Sequence, residues 1–345
     1  MKARRYSIFL LAIVLLAACW VSVGDLNDYA DNDDISVARY DRLQNEYARF
    51  NSVSALQKMN TTYGRPTQIL VEEILTIGSV SDSDINEKIK AFYSDSTLLQ
   101  LVDDVEAKFA DLDDVENELN KGFKRLQKEL PSLIIPTVYA QVSALNESIV
   151  VADSLLGISL DKYMGEDYPL YNRYYYDYQC RSMRPDRIVP DCFTFYLIGG
   201  YPLPPLTDWT LLERMIRQGQ IYYVVQQALG YKSISDVIGY SAVEEKWWLE
   251  NCSEVWEYLV RNRMLASTDP MVVRRLMYPA PSTSFFGENS PAFIGVCMGA
   301  EIVSSYMKKN KKVTLEELLH TTNYQEILMG SGYTTETGSD FNRKQ

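Results

Sequence analysis

The stretch LLERMIRQGQIYYVVQQALG, residues 211–230, decides the fold. Its apolar residues recur at helical spacing, yet Gln218, Gly219 and Gln220 stand at mid-span. A glycine inside a helix costs about 1 kcal/mol relative to alanine. Gly219 therefore implies either close approach by a neighbouring backbone or a site that has lost its side chains. In the first case Leu212, Met215, Gly219 and Tyr222 make one packing face at spacings of three and four.

The chain around this helix is also mostly helical. From 35 to 130, Tyr40, Leu43, Tyr47 and Phe50 follow helical spacing, as do Val102, Val105, Phe109, Leu112, Val115 and Leu119, and Pro131 closes this part. The pattern then turns to strand in LIIPTVYAQVSA (133–144) and SIVVADSLLGISLDKYMG (148–165), both rich in Val, Ile and Tyr. A Tyr-, Arg- and Pro-rich loop region follows over 165–208. After the central helix come a helix over 241–263, a long ordered loop over 277–295 and a helix over 293–309. A short helix then starts at Thr314. The expected fold is α+β: a mostly helical single domain over 35–333 with one small central sheet. Its helical layer spans 35–130, and its sheet and remaining helices span 131–333.

The N-terminus has Lys2, Arg4 and Arg5 before an apolar run from Tyr6 to Ala18, then Leu16-Ala17-Ala18-Cys19. This is the order of a lipoprotein signal peptide over 1–18, with Cys19 as the acylated, palmitate-bearing residue. The apolar run of 13 residues falls short of the roughly 20 a spanning helix needs. Residues 19–34, with Asp25, Asp28, Asp31, Asp33 and Asp34, read as the lipidated cysteine and an acidic tether, and 334–345 as a flexible tail. Removing the signal takes the formal net charge from −12 to −15. A surface of that sign excludes nucleic acid and anionic headgroups as partners. The expected partner is the membrane, through the lipid.

The single histidine, His320, at the end of a helix, removes HExxH zinc proteases, Ser-His-Asp triads and Cys-His dyads in their common forms. No metal and no cofactor is expected. Of the four cysteines after Cys19, Cys180 and Cys192 flank a short loop and make the best candidate disulfide. Cys252 lies on a helix stripe with Trp248, Val255 and Leu259 and reads as a packed thiol. Acidic side chains gather in the middle of the chain, and the candidate cleft residues are Asp161, Glu166, Asp191, Glu213, Gln218 and Gly219. A hydrolase would pair Glu213 with Asp161 or Asp191. Tyr174-Tyr175-Tyr176, close to Tyr163, Tyr168 and Tyr171, suit a glycan-binding face, against the alternative that they fill a core.

Two long blocks carry a resemblance: LGISLDKYMGEDYPLY and STDPMVVRRLMYPAPSTSFFGENSPAFIGVCMGAEIVSSYM. Together with RIVPDCF, LLERMIRQGQIYYV and the lipobox they resemble the gliding-motility lipoprotein GldB family. The resemblance implies a cell-envelope lipoprotein linked to outer-membrane motility and secretion machinery; Trp20, directly after the lipidated cysteine, does not resemble an inner-membrane retention aspartate, and the expected location is the outer membrane, facing the periplasm. It also implies a distant likeness to zincin-type metallopeptidases, with the 211–230 helix standing for the zinc helix. Without HExxH, zinc proteolysis does not carry over. A non-catalytic binding component is the first expectation, and a carboxylate-dependent hydrolase or a glycan-binding surface lipoprotein the alternatives.

Overall fold

The computed structural model describes residues 34–202 and 209–333. The signal segment, Cys19, the tether up to residue 33 and the tail from 334 lie outside them. The protein is mostly helical (61 %) with one small sheet of four short strands in the order β1-β2-β4-β3. The strands are β1 (Val37–Arg39), β2 (Thr137–Gln141), β3 (Ile149–Ala152) and β4 (Leu155–Ser159). No helix among the described residues is long and apolar enough to cross a membrane. The α+β class thus agrees with the sequence.

The chain forms two compact units. Of the described residues, the first holds those up to Asp111 together with Pro136–Glu147 and Ser159–Asp161; the second holds Leu112–Ile135, Ser148–Ile158 and those from Lys162 on. The sequence places its internal change of pattern near 130, whereas the backbone first divides at 111.

In the first unit, β1 runs parallel to β2 with Ala38 opposite Tyr139, and leads straight into α1 (Tyr40–Phe50). A strand at this position was not expected, because three residues are too few to show an alternation. Asn51, in the left-handed region at φ 49°, ends α1. The apolar stripe from Val102 to Leu119 is broken: α2 (Ser96–Lys108) is capped by Asp95, and the next helix, α3 (Asp113–Glu129), starts after a short connection and belongs to the second unit. Buried polar groups tie the first unit together. Gln44 on α1 accepts from the Val142 N–H (2.7 Å) and donates to the Val142 carbonyl (2.9 Å) and the Tyr93 hydroxyl (2.8 Å), with no exposed surface of its own.

The second unit contains the β3–β4 hairpin, whose turn is Asp153-Ser154 with Asp153 at φ 50°. The sequence shows this hairpin as one long strand region, because its turn lacks the Asn-Gly or Asp-Gly pair that marks tight hairpins. A second correction falls in the region expected to be loop. Residues Ile188–Gly200 form helix α4, buried over Ile188, Val189, Cys192, Phe193 and Leu197, with Pro190 accommodated in its first turn. Phe193 of α4 lies against Phe123 of α3 at 4.6 Å between ring centroids, and a side chain at Gly122 would collide with it.

The opening stretch is helix α5 (Leu211–Leu229), and capping motifs fix both of its ends. Thr210 and Glu213 form a reciprocal capping box at its N-terminus, and Gly230, at φ 69°, ends it. It is followed by a short helix (Ile234–Ile238), α6 (Ala242–Arg261), α7 (Pro270–Met277), α8 (Ile294–Lys309), α9 (Leu315–His320) and α10 (Tyr324–Ser331). The expected capping of the Thr314 helix is present, with Glu317 closing a second box.

Helix α5 crosses α8 at glycines on both sides. A Cβ on Gly219 would sit 2.3 Å from the carbonyl of Gly299, and one on Gly299 would sit 1.8 Å from the carbonyl oxygen of Met215. Both distances are far below any van der Waals contact, so each glycine is required by the other helix's backbone. The sequence had located Gly219, and the structure supplies its partner.

Of the expected loop 277–295, Met277 ends α7 and Ile294 and Gly295 begin α8, so the loop itself runs over 278–293. Thr283 and Ser290 close it: Thr283 N–H donates to Ser290 Oγ (3.1 Å), and Ser290 Oγ donates to the Gly287 carbonyl (2.7 Å). Phe285 and Phe286 are half-buried and pack on Tyr258 of α6.

Candidate functional site

Three of the sequence's four acidic candidates are held by structural partners. Asp161, fully buried in the first unit, accepts hydrogen bonds from the Ser143 and Leu145 backbone N–H groups (2.9 and 2.6 Å) and from Ser143 Oγ. It thereby holds a turn in which Ala144 and Leu145 both take positive φ. Glu213 is the capping-box carboxylate of α5, accepting from Thr210 N (2.7 Å) and Thr210 Oγ1 (2.8 Å). Asp191 accepts from Tyr163 Oη (3.0 Å) and pairs with Arg187 (3.4 Å). That arginine in turn donates to the carbonyls of Asp236 and Val237, which end the short helix over 234–238. Burial raises the Asp191 carboxyl, against the lowering influence of Arg187 and Tyr163, and burial pushes the neighbouring Tyr222 hydroxyl up to about 12. Glu166 is exposed.

The cysteine expectation needs correction. Cys180, Cys192, Cys252 and Cys297 are all free thiols, and Cys180 and Cys192 sit buried apart from any disulfide. Burial raises both thiols, so neither has the lowered value of a reactive cysteine.

The tyrosines differ in burial, with Tyr168 and Tyr175 half-buried. Tyr163 and Tyr171 are core residues at 1 % and 0 % exposure, as the bland alternative expected. Tyr174 and Tyr176 stand exposed, and Tyr176 stacks on Tyr178 at 5.8 Å with an interplanar angle of 8°.

The polar residues of α5 also have a structural explanation. Gln220, fully buried, donates to the carbonyls of Leu318 (2.7 Å) and Thr321 (2.9 Å) at the C-terminus of α9, where carbonyls lack i+4 partners within the helix. Arg217 donates to the Leu319 carbonyl (3.0 Å), the Gln220 side chain (3.2 Å) and the Tyr201 carbonyl (2.5 Å). Helix α5 is therefore the cap of its neighbour as well as the centre of its unit.

One concavity opens beside this network within the second unit. It measures about 120 Å³ and is lined by Trp209, Arg214, Arg217 and Gln218 from α5 and its lead-in, and by Val273, Met277 and Tyr278 from α7 and its end. Of the sequence candidates only Gln218 lines it; Gly219, one residue on, faces α8 instead. The other lining residues were missed. The one signal available was Trp209 followed by Arg214, Arg217 and Gln218, at helical spacings that place both guanidiniums near one face. Among the described residues no group of three or more His, Cys, Asp or Glu is placed to hold a metal ion. The pocket can hold one small group, with donors on one wall and apolar surface on the other.

No curated protein and no solved structure matches the chain. A family model does: that of the gliding motility protein GldB matches residues 26–335, covering the described part of both units. With a match over most of its length, this chain belongs to the GldB gliding-motility family.

Proposed function

We propose that the protein is a lipid-anchored accessory component of an envelope motility or secretion assembly, acting by binding and not by catalysis. Acyl chains on Cys19 hold it to the outer membrane on the periplasmic face, and an envelope protein is its partner. The observation that carries this reading is the commitment of the central helix. Glu213 caps α5, Gln220 caps α9, and Gly219 meets the Gly299 backbone, so these candidates on α5 serve architecture, and the polar groups left at its pocket face suit binding. In this reading α5 occupies the place of a peptidase zinc helix in a zincin-like scaffold, with the ligands replaced by packing residues.

The test is crosslinking in intact cells followed by recovery of the lipidated protein from its own envelope. One specific envelope protein is expected, together with release of the chain from membranes in a Cys19→Ala variant. Turnover of a peptide or ester by the purified chain, abolished by Glu213→Gln without loss of fold, would overturn the non-catalytic reading.

The exposed Tyr174 and the stacked Tyr176–Tyr178 pair favour a second reading, a glycan-binding lipoprotein, because flat exposed aromatic faces match the apolar faces of sugar rings. Retention on a polysaccharide column that is lost in Tyr176→Ala would support it, and silence across a broad glycan array would remove it.

A further inference from the structure

The pocket beside α5 contains an imbalance of charge. Arg217 is 6 % exposed, and among the described residues all of its hydrogen-bond partners are neutral oxygens. A buried cation normally has an anion against it, because neutral dipoles replace only part of the lost hydration. Of the five N–H donors of its guanidinium, the three bonds to Leu319, Gln220 and Tyr201 engage three, which leaves two. Burial lowers the guanidinium's pKa from its ordinary value, as expected for a charge lacking a full counter-charge.

A second feature lies against the same residues. The Tyr324 hydroxyl is buried and makes no hydrogen bond, and its ring stands 5.4 Å from the Trp209 ring at the pocket wall. A buried hydroxyl without a partner is uncommon and marks a place where a further polar atom fits. Gln218 adds an amide to the lining, and Val273 and Met277 supply the apolar wall.

We propose that this pocket binds the carboxylate of a ligand with a small apolar or aromatic body, with Arg217 as its counter-charge, Gln218 as a further donor, and Trp209, Val273 and Met277 around the body. A carboxylate matches the planar fork of a guanidinium. A volume of about 120 Å³ admits one such group and excludes a drug-sized molecule. Bare phosphate would leave the apolar wall without a partner. The carboxylate has two sources, a free small acid or the C-terminal residue of a peptide chain. This inference rests on the binding reading above and names what the α5–α7 pocket takes.

The experiment uses the full lipidated chain in detergent, with saturation-transfer NMR as readout. The probes are benzoate and its neutral analogue benzamide, N-acetyl-Ala-Phe with a free or an amidated C-terminus, and inorganic phosphate. Benzoate or the free-acid peptide is expected to bind saturably, each about tenfold or more tightly than its amide. Tighter binding of benzoate identifies a free acid as the source, and tighter binding of the peptide identifies a chain terminus. Arg217→Gln should abolish the preference for the charged form. Because Arg217 also caps α9, Gln218→Leu is the companion variant: it leaves the Arg217 bonds intact and should weaken the carboxylate several-fold with an unchanged melting temperature. Equal binding of acid and amide, competition by phosphate alone, or no saturable carboxylate binding by the folded wild type would overturn the proposal. Those results leave the accessory reading standing if crosslinking still recovers a partner; enzymatic turnover would remove that reading whatever the pocket binds.

Discussion

The α5–α8 crossing and the Gln44–Asp161 region solve the same problem, fixing one element against another, by opposite means. At the crossing, backbone meets backbone through Gly219 and Gly299, and nothing larger than hydrogen fits. Around Gln44 and Asp161, long polar side chains reach across and satisfy backbone groups that would otherwise be buried unpaired. The first arrangement is intolerant of size and indifferent to polarity. The second tolerates small changes of shape and fails when a donor or acceptor disappears.

Substitution at the crossing gives the largest expected effect. Gly299→Leu forces a side chain into the Met215 carbonyl and should cost about 3 kcal/mol or more, with Gly219→Leu close behind, both read from denaturant midpoints of the purified chain. A wild-type midpoint in either variant would dissolve the contrast. In the polar region, Asp161→Ala removes charge-assisted acceptors for two backbone N–H groups and should cost about 2–3 kcal/mol; Gln44→Leu, which is nearly isosteric, should cost about as much. If Gln44→Leu is neutral, shape and not polarity governs that region as well. Thr210→Ala, which removes a helix cap from α5, is expected to cost about 1 kcal/mol and calibrates a local effect against the two larger ones.

The smallest expected effect is a slope with pH. Burial raises the Glu301 carboxyl on α8 above its ordinary 4.5, outweighing the opposing influence of Lys308 and the Trp248 hydrogen bond. The folded chain then holds that proton more tightly than the unfolded chain, so this residue's contribution is most favourable below about 4.5 and declines as pH rises through the raised value. Glu301→Gln should flatten the stability profile across that window. A steeper profile in the variant would reverse the sign and place the carboxylate among favourable partners.

What the sequence discloses follows the range of the interaction. Thr210 with Glu213, and Thr314 with Glu317, are visible because both members of each capping box lie within one turn. Gly219 is visible as an anomaly within its helix, but Gly299, the residue that explains it, lies 80 positions further on and carries no local mark. Helix α4 is hidden by its own composition. Buried Phe193 and Leu197 alternate with half-exposed Phe195 and Ile198, all apolar, so no periodicity separates the faces. The pocket was legible on one wall only, since Val273 and Met277 reach Trp209 and Arg217 through tertiary packing. The acidic candidates were visible as a cluster, but sequence does not distinguish a carboxylate that does chemistry from one that holds a turn, as Asp161 does.

The pair of facing glycines also has a mechanical meaning. With a carbonyl group as the spacer, α5 and α8 have no side-chain cushion at their glycine crossing and no alternative rotamers there to absorb a displacement. Neither helix can slide or roll past the other by small steps. At that one point the two helices are joined backbone to backbone, so a displacement of either there is carried directly to the other.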